Sequence, residues 1–348
     1  MIAAVPSRSP AGVSAPPSLS IVIPVYNEPS WIGRAVADAV EAVRRSPFAD
    51  VEMVVVDDGS DAPTREALDA LQTPFALRVL RQENAGRFAA RRAGVEAASR
   101  ELVLLLDSRV SLRPEALSFV AGRMAADATE LVWNAHVDIE VTGNPYARFW
   151  NVLTEIVFRE YFARPRTTSF GPREFDRFPK GTTCFLAPRA DLLAAIEGFR
   201  PLYADMHRVS DDTHMIRGIA ERRRINISPG FSCLYRGRTS LRGFLRQAHY
   251  RGSTFVDGFL RPGTRFFVPL VLFYPVCALV VAALARRPRL ALAAAAVAPA
   301  AAGAAAAAAR RPPADVAAIA ALGPPWALAY VAGVWRGLAS AVTGLARR

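Results

Sequence analysis

Between residues 19 and 106, short runs of aliphatic residues alternate with segments whose apolar positions recur every three or four residues. LSIVIPV (19–25), VEMVVV (51–56), residues 77–81 and ELVLLL (101–106) are short apolar runs bounded by breakers, and they predict four strands. The first run stops at Asn27-Glu28-Pro29. A helix then opens at Ser30, with Ile32, Val36, Val40 and Val43 at helical spacing over 30–45. Further helices are expected over 63–72 and 86–98. Near-continuous apolar strands between amphipathic helices imply an α/β fold with a mainly parallel sheet covered by helices on both faces. Such sheets bind ligands beyond the carboxyl ends of their strands. The residues at those ends are Tyr26-Asn27-Glu28, Asp57-Asp58 and Asp107, all able to converge on one crevice.

From 127 to 240 the pattern is mixed. LVWNAHVDI (131–139) reads as a strand. YARFWNVLTEIVFREYF (146–162) reads as a helix whose broad apolar face suits a core or a membrane surface equally. Over 240–260, Leu241, Phe244, Leu245, Ala248, Phe255, Val256 and Phe259 share one stripe, while Arg242, Arg246 and Arg251 lie off it. A basic amphipathic helix of this kind suits a membrane interface. Three apolar runs follow, at 266–284, 290–309 and 315–335, each long enough to span a bilayer. The last carries a Gly-Pro-Pro break. Arg286, Arg287 and Arg289 in one turn compete with Arg310 and Arg311 in the next, so the positive-inside rule leaves orientation open. Residues 1–18 are rich in Pro, Ser and Ala, with no apolar run long enough for a signal peptide. The expected organisation is a disordered leader (1–18), a cytosolic domain (19–240), an interfacial helix (241–262) and a multi-pass region of about three transmembrane helices (263–348). The expected location is the inner cell membrane.

Charge narrows the partners. The 348 residues carry a net charge of +12, almost all of it arginine. That excess suits nucleic acid, an anionic membrane or phosphate-bearing substrates. The apolar C-terminal third points to membrane lipids, and no nucleic-acid partner is expected. Cys184, Cys233 and Cys277 show no CxxC spacing, which gives no disulfide framework and no zinc site.

SIVIPVYNE, VVVDDGS, NAGRFAARRAGVEAA and ELVLLLDSR occur in order, followed by KGTTCFLAPRADLLAAIEGF, SDDTHMI and RQAHYRG. Over 19–260 this series resembles family 2 glycosyltransferases of the GT-A, Rossmann-like fold, and the C-terminal runs resemble those of membrane-associated bacterial members. The resemblance implies a nucleotide-sugar donor held by Pro24, Tyr26, Glu28, Asp58, Asn84, Gly86, Asp107 and Arg109. Tyr26 offers a ring to the base, and Asp58 an acceptor to base or ribose. Asp57 suits shaping its own turn, because Asp readily bonds nearby backbone N–H groups. Asn84-Ala85-Gly86 leads into a helix N-terminus, which favours anions.

Family members commonly neutralise the leaving diphosphate with a divalent cation on Asp-x-Asp. Here the motif is Asp107-Ser108-Arg109. Two arrangements are open: Mg or Mn on Asp107 with water ligands, or Arg109 as a fixed cation. Asp211-Asp212 fills the place of the family's acidic pair. The resemblance implies Asp212 as the base that takes the acceptor's proton, with Asp211 beside it. Ser210 followed by two acids also reads as a helix cap. Gly181 and Thr182 resemble the acceptor loop, and Gln247 and Arg251 a variant Gln-x-x-Arg-Trp element near the diphosphate. The implied activity is inverting hexosyl transfer to a lipid-linked or cell-envelope polysaccharide acceptor at the cytosolic membrane face. The alternatives are a polyprenyl-phosphate sugar synthase and a non-catalytic sugar-nucleotide-binding protein.

Overall fold

A computed structural model describes residues 17–345, so the expected leader falls outside the described residues apart from its last two. Strands β1 (Leu19–Val25), β2 (Val51–Asp57), β3 (Ala76–Arg81) and β4 (Leu102–Leu106) alternate with α1 (Ile32–Arg44), α2 (Ala62–Asp69) and α3 (Arg87–Ala97). The four strands pair in parallel in the order β3-β2-β1-β4. Their unbroken apolar runs follow from burial on both faces. Ile21 and Ile23 of β1, with Met53 and Val55 of β2, join one core together with α1. Val22, Val54 and Val56 point to the other core, under α3. Gly94 lets α3 sit close on the sheet: a Cβ there would collide with Val22 and lie 3.2 Å from Val56 Cγ2.

Next come β5 (Val110–Leu112), α4 (Ala116–Ala126), β6 (Trp133–Ile139), α5 (Pro145–Val157), α6 (Arg159–Phe162), β7 (Thr168–Phe170), β8 (Cys184–Pro188), α7 (Arg189–Glu197), α8 (Asp211–Ala220) and β9 (Ile225–Tyr235). The sheet continues from β4 through β8, β6 and β9 to β5, with β7 beside β9. In this half only β6 and β9 are parallel; β4–β8, β6–β8, β5–β9 and β7–β9 are antiparallel. The sheet is therefore mixed, parallel throughout only over its first four strands. The chain leaves β4 at Asp107 and returns as β8 with no crossover helix directly joining the two strands to reset its direction.

The C-terminal part holds α9 (Leu241–Phe259), α10 (Phe267–Val271), α11 (Phe273–Arg286), α12 (Pro288–Ala308) and α13 (Pro313–Leu345). Only Pro313–Thr343, among the described residues, is a helix both long and apolar enough to cross a membrane. The expected 266–284 span divides at Leu272, and α11 restarts with Pro275 in its first turn, where no backbone donor is required. The expected break at Gly323-Pro324-Pro325 does not occur, since both prolines lie inside α13. The stripe of α9 is taken up by packing: Phe244, Ala248 and Val256 are buried, and α13 lies alongside.

Replacing Gly94 with Ala should lower stability by about 1–2 kcal/mol through overpacking, although alanine is the better helix former. Urea unfolding is the measurement; an unchanged or raised midpoint would show that Val22 yields without strain.

Candidate active site

Strand order reverses beside β1 and β4, which opens a crevice at their carboxyl ends. Asp107 follows β4 there. Its backbone N–H donates to Thr183 O at 2.9 Å, which ties the β4 end to the segment before β8. Arg91 occupies the buried face of α3 with Phe88 and Val95. Its side chain is 2% exposed; Nη2 donates to Asp107 Oδ1 at 2.6 Å, and Nη1 pairs with Asp211 at the start of α8. One turn earlier, Arg87 lies 3.7 Å from Asp211 Oδ1 and donates from Nη2 to the Tyr250 hydroxyl at 2.7 Å. Burial pushes the Asp211 carboxyl up, but Arg91 and Arg87 outweigh it and hold its pKa below the ordinary value.

Asp212 stands at the open side of this cluster. Its Oδ1 accepts from Thr213 N at 2.8 Å, and a Cβ added to Gly181 would lie 3.8 Å from its Oδ2. The structure thus brings Asp107, Asp211, Asp212 and Gly181 together. Ser210 occupies the cap position of α8, yet its hydroxyl bonds Thr213 Oγ1 at 2.8 Å instead of a backbone N–H. The start of α8 is fixed from α9. Asp257, fully buried, accepts from Ser210 N at 2.7 Å, Leu202 N at 2.6 Å and His214 Nε2 at 2.9 Å.

A second group surrounds Glu28, which is buried and accepts from Arg109 Nε at 2.8 Å and Arg238 Nη1 at 3.2 Å. Arg109 also donates to the carbonyls of Arg236 and Gly237 and lies over the Trp31 ring. Its guanidinium is committed to this side, not to Asp107. Tyr26, after Pro24 at the end of β1, is 51% exposed and free to meet a flat ligand.

The Asp57-Asp58 pair shapes loops. Asp57 Oδ1 accepts from Ser60 N at 2.9 Å. Asp58 accepts from Gln82 Nε2 at 2.7 Å, Ala85 N at 2.9 Å and Gly86 N at 3.0 Å. It therefore builds the Asn84-Ala85-Gly86 turn into α3, and two N–H groups expected for an anion serve Asp58 instead. Gly86, at φ 90°, takes a backbone form that suits glycine. Asn84 is exposed at the turn.

In the segment before β8, the expected acceptor loop, Thr182 is buried and its hydroxyl has no hydrogen-bond partner among the described residues. Lys180 donates to Phe175 O at 2.5 Å and sits 4.2 Å from the Phe175 ring centroid. On α9, Gln247 is half-buried, whereas Arg251 stacks over Trp150 at 4.6 Å. Tyr250, not Arg251, reaches the acidic cluster.

Arg87, Arg91, Lys180 and Tyr250 were not singled out from sequence. A signal existed for Arg91: it falls on the apolar stripe of α3, in step with Phe88 and Val95, where an arginine needs buried carboxylates. A divalent ion fits these residues poorly. One Asp107 oxygen carries Arg91, Arg109 replaces the second motif carboxylate, and no cluster of three or more potential metal ligands occurs among the described residues.

A mixed α/β sheet with acidic strand ends facing an acidic helix start has the architecture of a GT-A fold. Residues 20–187 match glycosyl transferase family 2, so the chain carries a domain of that family. Over 131 residues it is 29% identical to the glycosyltransferase GlyG of Streptococcus pneumoniae, covering 37% of this chain and 42% of the relative. Over 114 residues it is 36% identical to the undecaprenyl-phosphate 4-deoxy-4-formamido-L-arabinose transferase of Pseudomonas fluorescens, covering 32% of each chain. The matches thus span less than half the length of these relatives. A mannosyltransferase of Pyrobaculum calidifontis, solved with GDP-Man and Mn2+, shares the fold at 20% identity and TM-score 0.56, covering 96% of this chain and 90% of that one.

Arg91→Ala should cost about 3–5 kcal/mol, because it removes the direct guanidinium partner of buried Asp211 and half-buried Asp107. The urea midpoint reads this, and a loss under about 1 kcal/mol would show that the bridge is not structural. Lys180 supplies a pH test. Burial pushes its ammonium from 10.5 down to about 8, with Asp176 opposing. Between those values the unfolded chain holds a proton that the folded chain lacks, so stability should rise with pH across that window. Lys180→Met should flatten the rise in urea midpoints measured at pH 7.5, 9 and 10; parallel curves would remove the assignment.

Proposed function

We propose that the protein is an inverting glycosyltransferase that moves a sugar from a nucleotide-sugar donor to a lipid-linked or polysaccharide acceptor at the cytosolic face of a membrane. The observation that carries this reading is the Arg91 bridge, which sets Asp107 and the start of α8 around one cleft with Asp212 facing Gly181. In-line attack forms the bond from acceptor oxygen to anomeric carbon while the bond to the nucleoside diphosphate breaks, and Asp212 takes the acceptor's proton. Tyr26 offers its exposed ring to the nucleotide base. Arg87, half-exposed in the first turn of α3, is the cation of the cluster open to the diphosphate. The apolar C-terminal helices hold the cleft at the lipid surface.

The Pseudomonas relative favours a second reading, in which the acceptor is a polyprenyl phosphate. An ionised phosphate needs no base, so one variant separates the two. Asp212→Asn should lower sugar transfer by about 100- to 10,000-fold while nucleotide affinity, read by thermal shift across UDP-, GDP- and TDP-sugars, is retained. Full turnover on a phosphate acceptor would select the second reading. A wild-type chain that neither transfers nor hydrolyses any donor would leave only binding.

A further inference from the structure

Among the described residues, the one helix both long and apolar enough to cross a membrane is docked lengthwise on the catalytic domain. Near its start, Asp315 is 8% exposed and paired with Arg148 of α5 at 2.9 Å. Midway, the Trp326 ring packs on Phe149 and Trp150, also of α5. Further along, the backbones of Gly333 and Gly252 of α9 touch, and a Cβ on Gly337 would meet Tyr203 Oη at 2.7 Å and Ser253 O at 2.9 Å. Ala341, near the end, is 1% exposed. The docked stretch runs roughly 40 Å, at about 1.5 Å per residue, longer than the hydrocarbon thickness of about 30 Å.

What lies beneath α13 cannot enter hydrocarbon. Helix α9 carries exposed Arg242, Arg246 and Arg251, and it reaches the acidic cluster through Tyr250 and Asp257. An α13 that crossed the bilayer would carry these charges and the cleft in with it. Its outer side is different. Leu328 of α13, Leu292 of α12 and Leu279 of α11 are 75%, 72% and 71% exposed, and the three helices adjoin in that order. Both turns flanking α12 are basic, with exposed Arg286, Arg287 and Arg289 at one end and Arg310 with half-buried Arg311 at the other. A crossing α12 would place one of these clusters on the far side, against the positive-inside preference.

We propose that α11, α12 and α13 lie along the surface of one anionic phospholipid leaflet, and that none of them crosses it. The apolar outer faces sit at the acyl boundary, with both arginine turns at head-group level. This rests on the membrane reading above and replaces the expected multi-pass region with an in-plane platform.

Sidedness tests it. The full chain, as Cys277→Ala, would carry one new cysteine at a time: Ala70→Cys on the catalytic domain, Arg287→Cys, or Ala309→Cys, all at exposed positions. Each is bound to preformed phosphatidylglycerol/phosphatidylcholine vesicles and treated with a membrane-impermeant maleimide, before and after pore formation. In-plane helices label at 287 and 309 from outside to the same extent as at 70. Labelling of either turn only through the pore, or not at all, overturns the arrangement while leaving membrane binding intact. Failure of the chain to sediment with the vesicles removes the membrane reading itself, and this inference with it.

Discussion

The cleft depends on one buried guanidinium. Arg91 is almost wholly withdrawn from water, and an uncompensated charge there would be far more expensive than the fold could tolerate. Asp107 and Asp211 compensate it from two directions, one at the end of β4 and one at the start of α8. These carboxylates are distant in sequence, and Arg91 of α3 pairs with both. The ion triad therefore acts as a register pin: it is satisfied only when sheet end, helix α3 and helix α8 meet in one geometry. A pair of this kind contributes little net stability compared with apolar residues of equal size, but its geometry selects one arrangement of the cleft.

Helix α9 extends that constraint outward. Its Asp257 accepts three hydrogen bonds and so decides where α8 begins, while its Tyr250 holds Arg87. Its opposite side makes glycine-to-glycine contact with α13. Displacement of the apolar helices would thus move the acidic start of α8, because close backbone packing transmits shifts where flexible side chains would absorb them. The surface-seeking part and the chemical part are one mechanical unit.

The first four strands and three helices were legible because periodicity is strong where both faces of a sheet are buried, and the boundaries of β2 and α3 fell within a residue or so of the expectation. The mixed half was not. β5 and β7 have three residues each, too few for a period to register, and β9 is interrupted at Pro229-Gly230, where the register with β6 shifts. In the tail, Ala318, Val334, Leu338 and Ala341 are buried against protein while Leu328, Val331 and Val342 are exposed, a division that hydropathy alone does not register. At the site, residue types were readable but partnerships were not. Asp58 is a pocket-like acid in sequence, yet its oxygens are filled by Gln82, Ala85 and Gly86.

Arg109 shows how a motif can change without stranding a charge. An arginine in place of a carboxylate beside Asp107 would be expected to pair with it. Glu28 and two carbonyls draw it away instead, leaving Asp107 to Arg91. The cleft then holds the carboxylates of Asp107, Asp211 and Asp212 against Arg87 and Arg91, with Lys180 felt from the side of Asp212. Burial lowers the Lys180 ammonium to about 8, and Asp176 is the carboxylate that opposes this most, ahead of Asp212. The partners of these acids thus come from α3, while the arginine of the changed motif is spent on Glu28.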